Sequence, residues 1–90
     1  MSQSSRKVRI ANDLGVHLRA AGALVQVAGR FVAEVWLDHN EARANAKSIM
    51  SVLSLAASKG TELDIVASGD DAQAAVDAIV ELIERGFELS

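Results

Sequence analysis

Three segments alternate between apolar and polar residues with the period of two that is typical of a half-buried strand. They span residues 7–10, 31–38 and 61–67. Residues 31–38 give the clearest pattern, and residues 39–41 then form a tight connection. We therefore predict that residues 42–46 pair back on this strand as a hairpin. The predicted inward side chains are Phe31, Ala33, Val35 and Leu37 in one strand and Leu63, Ile65 and Ala67 in another.

Apolar residues recur at helical spacing in residues 18–28 and 70–85, and Gly29 and Gly86 are placed to end these two helices. Asp70 is the predicted N-cap of the later helix, with Gln73 completing a partial capping box. Residues 48–55 predict a short helix with Ser48 near its N-cap. The apolar stripe of the later helix consists of Ala72, Val76, Ile79, Val80 and Ile83.

The element order is therefore β-α-β-β-α-β-α within a single domain, residues 1–90. Short strands mixed with helices that must all cover one sheet predict an α+β fold, a two-layer sandwich with one sheet face open to water. The residues predicted to face water are Lys7, Arg9, Glu34, Trp36 and Asp64.

Composition excludes several classes of function. The chain has no cysteine, which excludes a disulfide, a thiolate zinc site and a thiol nucleophile and fits a cytoplasmic location. No apolar run approaches the roughly 20 residues that would cross a membrane. Residues 1–60 carry eight Lys/Arg against four Asp/Glu, whereas residues 61–90 carry one against eight. The basic residues are scattered among few aromatic ones, so we predict no nucleic-acid binding.

The candidate chemistry lies in the segment from Gly15 to Ala21, where His17 stands on a short loop just before a helix. A helix N-terminus presents unpaired N–H groups and the positive end of the helix dipole. At this position, the imidazole of His17, with Arg19 two residues further on, could take up a phosphoryl group. The alternative without a chemical role is a solvated histidine or one that caps the helix. His39 is predicted to be solvated in the hairpin turn. No ligand spacing for a metal and no phosphate loop for a nucleotide cofactor is present.

Three segments carry a family resemblance: residues 15–21 (GVHLRAA), residues 44–53 (ANAKSIMSVL), and the turns at residues 59–61 and 69–72. Together and in this order, they resemble the HPr family, the histidine-containing phosphocarriers of the phosphoenolpyruvate-dependent sugar phosphotransferase system. The resemblance covers roughly residues 6–85. It implies a four-stranded antiparallel sheet with three helices on one face.

The resemblance also implies a function. His17 would accept a phosphoryl group from phospho-enzyme I and pass it to a sugar-specific or regulatory IIA-type acceptor, with Arg19 stabilising the phosphate. The protein would be a carrier without turnover of its own, and we expect a monomer that needs no cofactor. Ser48 would be the regulatory phosphorylation site of an HPr kinase/phosphorylase. The implied docking surface contains Ile49, Met50, Leu53 and Ala20, with Lys47 and Arg19 as a basic rim.

The chain departs from the family pattern mainly at Ala20, where proline is usual, and at Val16 and Leu18. Alanine still favours a helix but leaves its first turn less rigid than proline would. A second reading therefore stays open: an HPr-like regulatory domain that acts by binding, under control of Ser48. A third, an unrelated α+β domain for a small molecule, would need an apolar pocket, and nothing in the sequence indicates one.

Overall fold

The predicted order of strands and helices is confirmed by a computed structural model of the chain. The structure describes residues 2–88, so residues 1, 89 and 90 of the predicted domain lie outside it. The elements are β1 Gln3–Arg9, α1 Leu18–Ala28, β2 Glu34–His39, β3 Ala42–Asn45, α2 Ile49–Ser54, β4 Glu62–Ser68 and α3 Ala72–Glu84, followed by a 3-10 turn at Gly86–Glu88. No helix within residues 2–88 is long and apolar enough to cross a membrane.

The four strands form one antiparallel sheet in the order β1-β4-β2-β3, which confirms the predicted sheet and its hairpin. β4 lies in the interior and pairs with both β1 and β2. β1 begins at Gln3, four residues before the alternating pattern does, and Gln3 pairs with Ser68. Strand pairing uses backbone groups, so the polar residues that open β1 can join the ladder without an apolar side chain.

The two faces of the sheet differ as the alternation predicts. Val35, Leu37, Leu63, Ile65 and Ala67 are all buried on the inner face. On the outer face, Lys7, Arg9 and Glu34 are exposed while Trp36 and Asp64 are half-buried. Asp38 and Asp64 face each other across β2 and β4. Flanking cations balance this like-charge pair through the ion pairs Lys7–Asp64 at 3.3 Å and Arg43–Asp38 at 2.7 Å.

The helices supply the second layer of the sandwich. α3 packs on β1 and β4, while α2 packs on β3 and α1. Burying a large aliphatic side chain stabilises the fold by about 1.5–3 kcal/mol. All five residues of the predicted α3 stripe are buried, which accounts for much of the core: Ala72, Val76, Ile79, Val80 and Ile83.

The start of β2 is a correction. The strand predicted from residue 31 begins only at Glu34. The carboxylate of Asp71 accepts hydrogen bonds from the N–H groups of Val32 at 2.9 Å and Ala33 at 2.8 Å. These N–H groups therefore bond to a side chain instead of a neighbouring strand, and the segment before Glu34 stays irregular.

Asp71 also stands at the start of α3, where the prediction needs a correction. The predicted cap at Asp70 is wrong, because the helix begins at Ala72 with Asp71 at the cap position and no side-chain capping bond. Gln73 also forms no capping box, since its amide accepts from Ser4 and donates to Asp77. The predicted stop is confirmed: Gly86 follows the helix with φ of 63°.

The contact between Asp71 and the 32–33 segment should make stability depend on pH. The two N–H bonds, from Val32 first and then Ala33, hold the pKa of the Asp71 carboxyl below its ordinary value. A depressed folded-state pKa gives stability that is present above the unfolded pKa of about 3.9 and is lost as the pH falls through the folded one. We predict that Asp71→Asn lowers Tm at pH 7 and that the deficit shrinks below about pH 4.

The single tryptophan, Trp36, allows fluorescence to follow unfolding in this experiment. Asp70→Asn is the matched control, because it removes the same charge from the adjacent exposed side chain. Equal Tm values for the two variants at pH 7 would contradict the assigned role of Asp71.

Candidate functional site

The site begins with the loop between β1 and α1, which docks on the turn after α2. The N–H of Val16 donates to the carbonyl oxygen of Ala57 at 2.9 Å. Gly15 has φ of 68°, and a Cβ atom there would overlap the Ala57 oxygen and lie 2.8 Å from the Cα of Ser58. Only glycine fits this approach. The predicted loop is confirmed, and the bond from Val16 to Ala57 fastens it to a segment 41 residues further along the chain.

A second contact fastens the same two segments at the surface. The ammonium group of Lys59 donates to the carboxylate of Asp13 at 2.8 Å. This bond holds the pKa of the Asp13 carboxyl below its usual value. The loop that carries the candidate nucleophile is thus held at both Asp13 and Val16.

His17 is the N-cap of α1. Its backbone is extended, with φ of −86° and ψ of −178°, and its Nδ1 atom accepts the N–H of Arg19 at 3.2 Å. Because Nδ1 accepts, the proton of the neutral ring lies on Nε2. The ring is partly exposed. The Nδ1 lone pair therefore caps α1 and lies at the positive end of the helix dipole, at the residue that the sequence predicts to be the nucleophile.

Arg19 is exposed beside this ring. Within residues 2–88, its guanidinium makes no hydrogen bond or ion pair, whereas those of Arg9 and Arg43 are held by carboxylates. An Arg fork that is not committed to a carboxylate is free to bind a phosphate in bidentate fashion.

Exposed apolar side chains lie on the elements around the site. Met50 is 76% exposed and Ile49 is 38% exposed on α2, but Leu53 packs against the core. Two further leucines were not singled out in the sequence: Leu14 in the loop, 75% exposed, and Leu18 at the start of α1, 66% exposed. The sequence did contain a signal for these two residues, since large apolar residues stand on both sides of the loop histidine. Where exposed large apolar side chains form one patch, they are typical of interaction sites.

Two expected members of the docking surface are corrected. Ala20 is fully buried, because it lies on the inner side of α1 with Ala21 and Leu24, and so its methyl group cannot contact a partner. Lys47 lies away from Arg19, since its ammonium donates at 2.7 Å to the carbonyl of Phe31, beyond the far end of α1. α1 is about 16 Å long, so Lys47 and Arg19 do not form one basic rim.

Ser48 occupies its predicted position as the N-cap of α2. Its Oγ accepts the N–H of Ser51 at 3.3 Å. The turn that contacts the His17 loop follows the opposite end of α2. Ser48 and the His17 loop are therefore separated by a helix about 9 Å long.

His39 does not fit its prediction as a solvated residue. It is half-buried at the end of β2, and its Nδ1 lies 3.1 Å from the carbonyl oxygen of Glu62. It lines an open depression of about 530 Å³ on the outer sheet face, among side chains of both charges. Within residues 2–88, no group of three His, Asp or Glu residues could hold a metal ion.

Comparison with known proteins places this arrangement in a family. The family model described as "PTS HPr component phosphorylation site" matches residues 4–85. The phosphocarrier protein HPr of Treponema pallidum is 45% identical over 83 residues, covering 92% of this chain and 94% of that protein.

Solved structures agree with this assignment. HPr-C-His from Thermoanaerobacter tengcongensis has a TM-score of 0.92 and 37% identity, covering 97% of this chain and 98% of that one. Crh of Bacillus subtilis, described as a dimer with a swapped domain, has a TM-score of 0.76 and 37% identity, covering 90% of this chain and 93% of that one. From the matched motif, the shared fold and the sequence identity together, the chain belongs to the HPr family of the phosphotransferase system.

Proposed function

We propose that this protein carries a phosphoryl group on His17, accepts it from phospho-enzyme I and passes it to a IIA-type acceptor. The observation that carries the proposal is the Nδ1 atom of His17, whose lone pair lies at the start of α1 and accepts the N–H of Arg19 at 3.2 Å. The phosphocarriers to which the chain is similar support the same function.

The transfer step needs no proton to leave Nδ1. Its lone pair forms the new N–P bond while the bond between phosphorus and the donor breaks, and the ring proton stays on Nε2. Nδ1 can then no longer accept the N–H of Arg19, so this N–H becomes available to a phosphoryl oxygen. One backbone donor therefore serves as a cap before transfer and as an anion ligand after it.

Arg19 and the helix dipole oppose the cost of the added charge. Helix N-termini stabilise anions, and the exposed guanidinium of Arg19 can approach the phosphoryl oxygens from solvent. Both groups are already in place, so transfer requires little reorganisation. Transfer from His17 to the acceptor remains accessible, because the same groups also stabilise the charge of the phosphoryl group while it leaves Nδ1.

The partners should dock on the exposed apolar side chains of Leu14, Leu18, Ile49 and Met50. Exposed apolar side chains on the reactive loop, on the first residue of α1 and on α2 suit brief complexes with more than one protein. The reactive loop and the helix start come from one chain, which supports a carrier that acts as a monomer, and we expect it to work without a cofactor. We propose a cytoplasmic location, which the absence of cysteine fits.

The competing reading is an HPr-like regulatory domain that acts by binding, controlled through Ser48. It took its support from Ala20, which stands where the family usually has proline. The structure nevertheless starts α1 at Leu18, with the N–H of Ala21 bonded to the carbonyl of His17 at 2.8 Å. A helix start that forms without proline favours the carrier.

Three predictions test the proposed function, and the first concerns the acceptor atom. On incubation with phosphoenolpyruvate and enzyme I, the protein should gain one acid-labile phosphoryl group, measured by intact mass. His17→Ala should gain none, and His39→Ala should gain it as the parent does. Persistence of the adduct in His17→Ala, or its absence in the parent, would contradict the carrier reading.

The second prediction concerns Arg19. Arg19→Ala should slow phosphoryl acceptance about ten- to a hundredfold, since a hydrogen bond to a charged group contributes about 1.5–3 kcal/mol. Tm should stay nearly unchanged because the side chain is exposed. Arg30→Ala, an exposed arginine beyond the other end of α1, is the control. Normal transfer with a large fall in Tm would show that Arg19 supports the fold instead.

The third prediction concerns Ser48 as a regulatory site. Ser48→Asp should keep α2, because aspartate is as good an N-cap as serine, yet slow acceptance from enzyme I through its negative charge beside the docking surface. Ser48→Asn provides the same cap without the charge and should transfer normally. A normal rate in Ser48→Asp would argue against regulation at this residue.

A further inference from the structure

Asn12 is a buried polar residue in the loop that leads to His17. Its side chain is 8% exposed and lies against Gly86, which ends α3. Its Nδ2 atom donates to the carbonyl oxygen of Gly15 at 2.7 Å. The backbone carbonyl oxygen of Asn12 accepts the N–H of Gly15 at 3.2 Å. Asn12 thus clamps both backbone groups of the glycine that docks on Ala57.

The clamp reaches His17 through one shared atom. The carbonyl oxygen of Gly15 accepts the Nδ2 bond of Asn12 and also the backbone N–H of His17 at 3.1 Å. Between them, Val16 is held by its bond to Ala57. Two hydrogen bonds that share the Gly15 oxygen therefore connect the Asn12 amide to the backbone of His17. The conformation of this backbone sets where Nδ1 points.

The other end of the Asn12 amide stays unsatisfied. Its Oδ1 atom is buried and has no hydrogen-bond partner within the described residues 2–88. Turning the amide over would not help, because Oδ1 would then face the Gly15 oxygen, and two acceptors repel. A buried acceptor without a partner is unfavourable. An apolar residue of similar shape would remove it, and the Gly15 oxygen would still accept the N–H of His17.

We propose that Asn12 is a positioning residue for phosphoryl transfer, which fixes the Gly15 carbonyl and through it the direction of the His17 Nδ1 atom. The inference rests on the proposed function, because it needs His17 as the acceptor. A polar group kept in the core at the expense of stability is expected where it serves a site instead of the fold.

Asn12→Leu tests this, since leucine has a similar size, removes the unsatisfied oxygen and lacks the donor. With enzyme I and phosphoenolpyruvate, the kcat for this variant as acceptor should fall about ten- to a hundredfold, because small displacements of a reacting atom are that costly. KM should stay unchanged, since the exposed docking residues are untouched. Tm should stay the same or rise.

A second readout follows the His17 ring directly. Nitrogen-15 NMR should show the Nε2–H tautomer in the parent and a shifted tautomer ratio in Asn12→Leu. Asn12→Ala tests the same bond with a smaller side chain and should lose kcat as well. Gln26→Leu is the matched control, because it replaces an exposed amide on α1 and leaves the clamp on Gly15 and the Lys59–Asp13 contact in place, so its kcat and ring tautomer should match those of the parent.

The outcomes separate the two proposals. If the parent is not phosphorylated on His17, the proposed function fails. If the parent is phosphorylated and Asn12→Leu matches it in kcat and in ring tautomer, the role of Asn12 is overturned. A fall in activity that occurs only together with loss of the folded state, in both Asn12 variants, also overturns it, since Asn12 would then serve the fold.

Discussion

The hydrogen bond from the Val16 N–H to the Ala57 carbonyl, at 2.9 Å, is the contact on which the site depends. It joins the loop before α1 to the turn after α2, and it brings the backbone so close that residue 15 must be glycine. The acceptor is itself set by an unusual conformation, because Ala56 has φ of 51°. Left-handed alanine costs about 1–2 kcal/mol, so tertiary packing must hold it there. The reactive end of α1 is thus built by a long-range contact.

One side of the start of α1 is buried in the core and the other side is exposed. The helical period turns successive residues away from each other, so Leu18 and Arg19 stay exposed while Ala20 and Ala21 are buried. The small inward residues let the helix lie close to the core. The outward pair leaves an apolar side chain and a cation beside the His17 ring. A segment of four residues therefore contributes both to the core and to the proposed phosphoryl site.

The sequence pattern predicted the parts of this protein that follow local rules. The presence and order of the strands, the α3 stripe and the Ser48 cap depend on periodicity and on near neighbours, and they are confirmed. The errors arise where distant groups meet. Asp71 bonds to Val32 and Ala33, far back along the chain, so neither the start of β2 nor the cap of α3 could be read locally. Ala20 and Lys47 were wrongly assigned to the docking surface. A motif gives the order of residues along the chain, but it does not show that Ala20 is buried or that Lys47 lies near the far end of α1.

The separation of Ser48 from the His17 loop by α2 constrains how the two sites can communicate. Across about 9 Å in water, two unit charges interact by about 0.5 kcal/mol, so two phosphates of about −2 each repel by about 2 kcal/mol before salt screening. Salt weakens this further, because the Debye length is about 8 Å at physiological ionic strength. No hydrogen bond among the described residues links Ser48 directly to His17. We therefore expect a charge on Ser48 to act chiefly on a partner that docks over α2, and to leave His17, which the Val16 and Gly15 contacts hold, as it was.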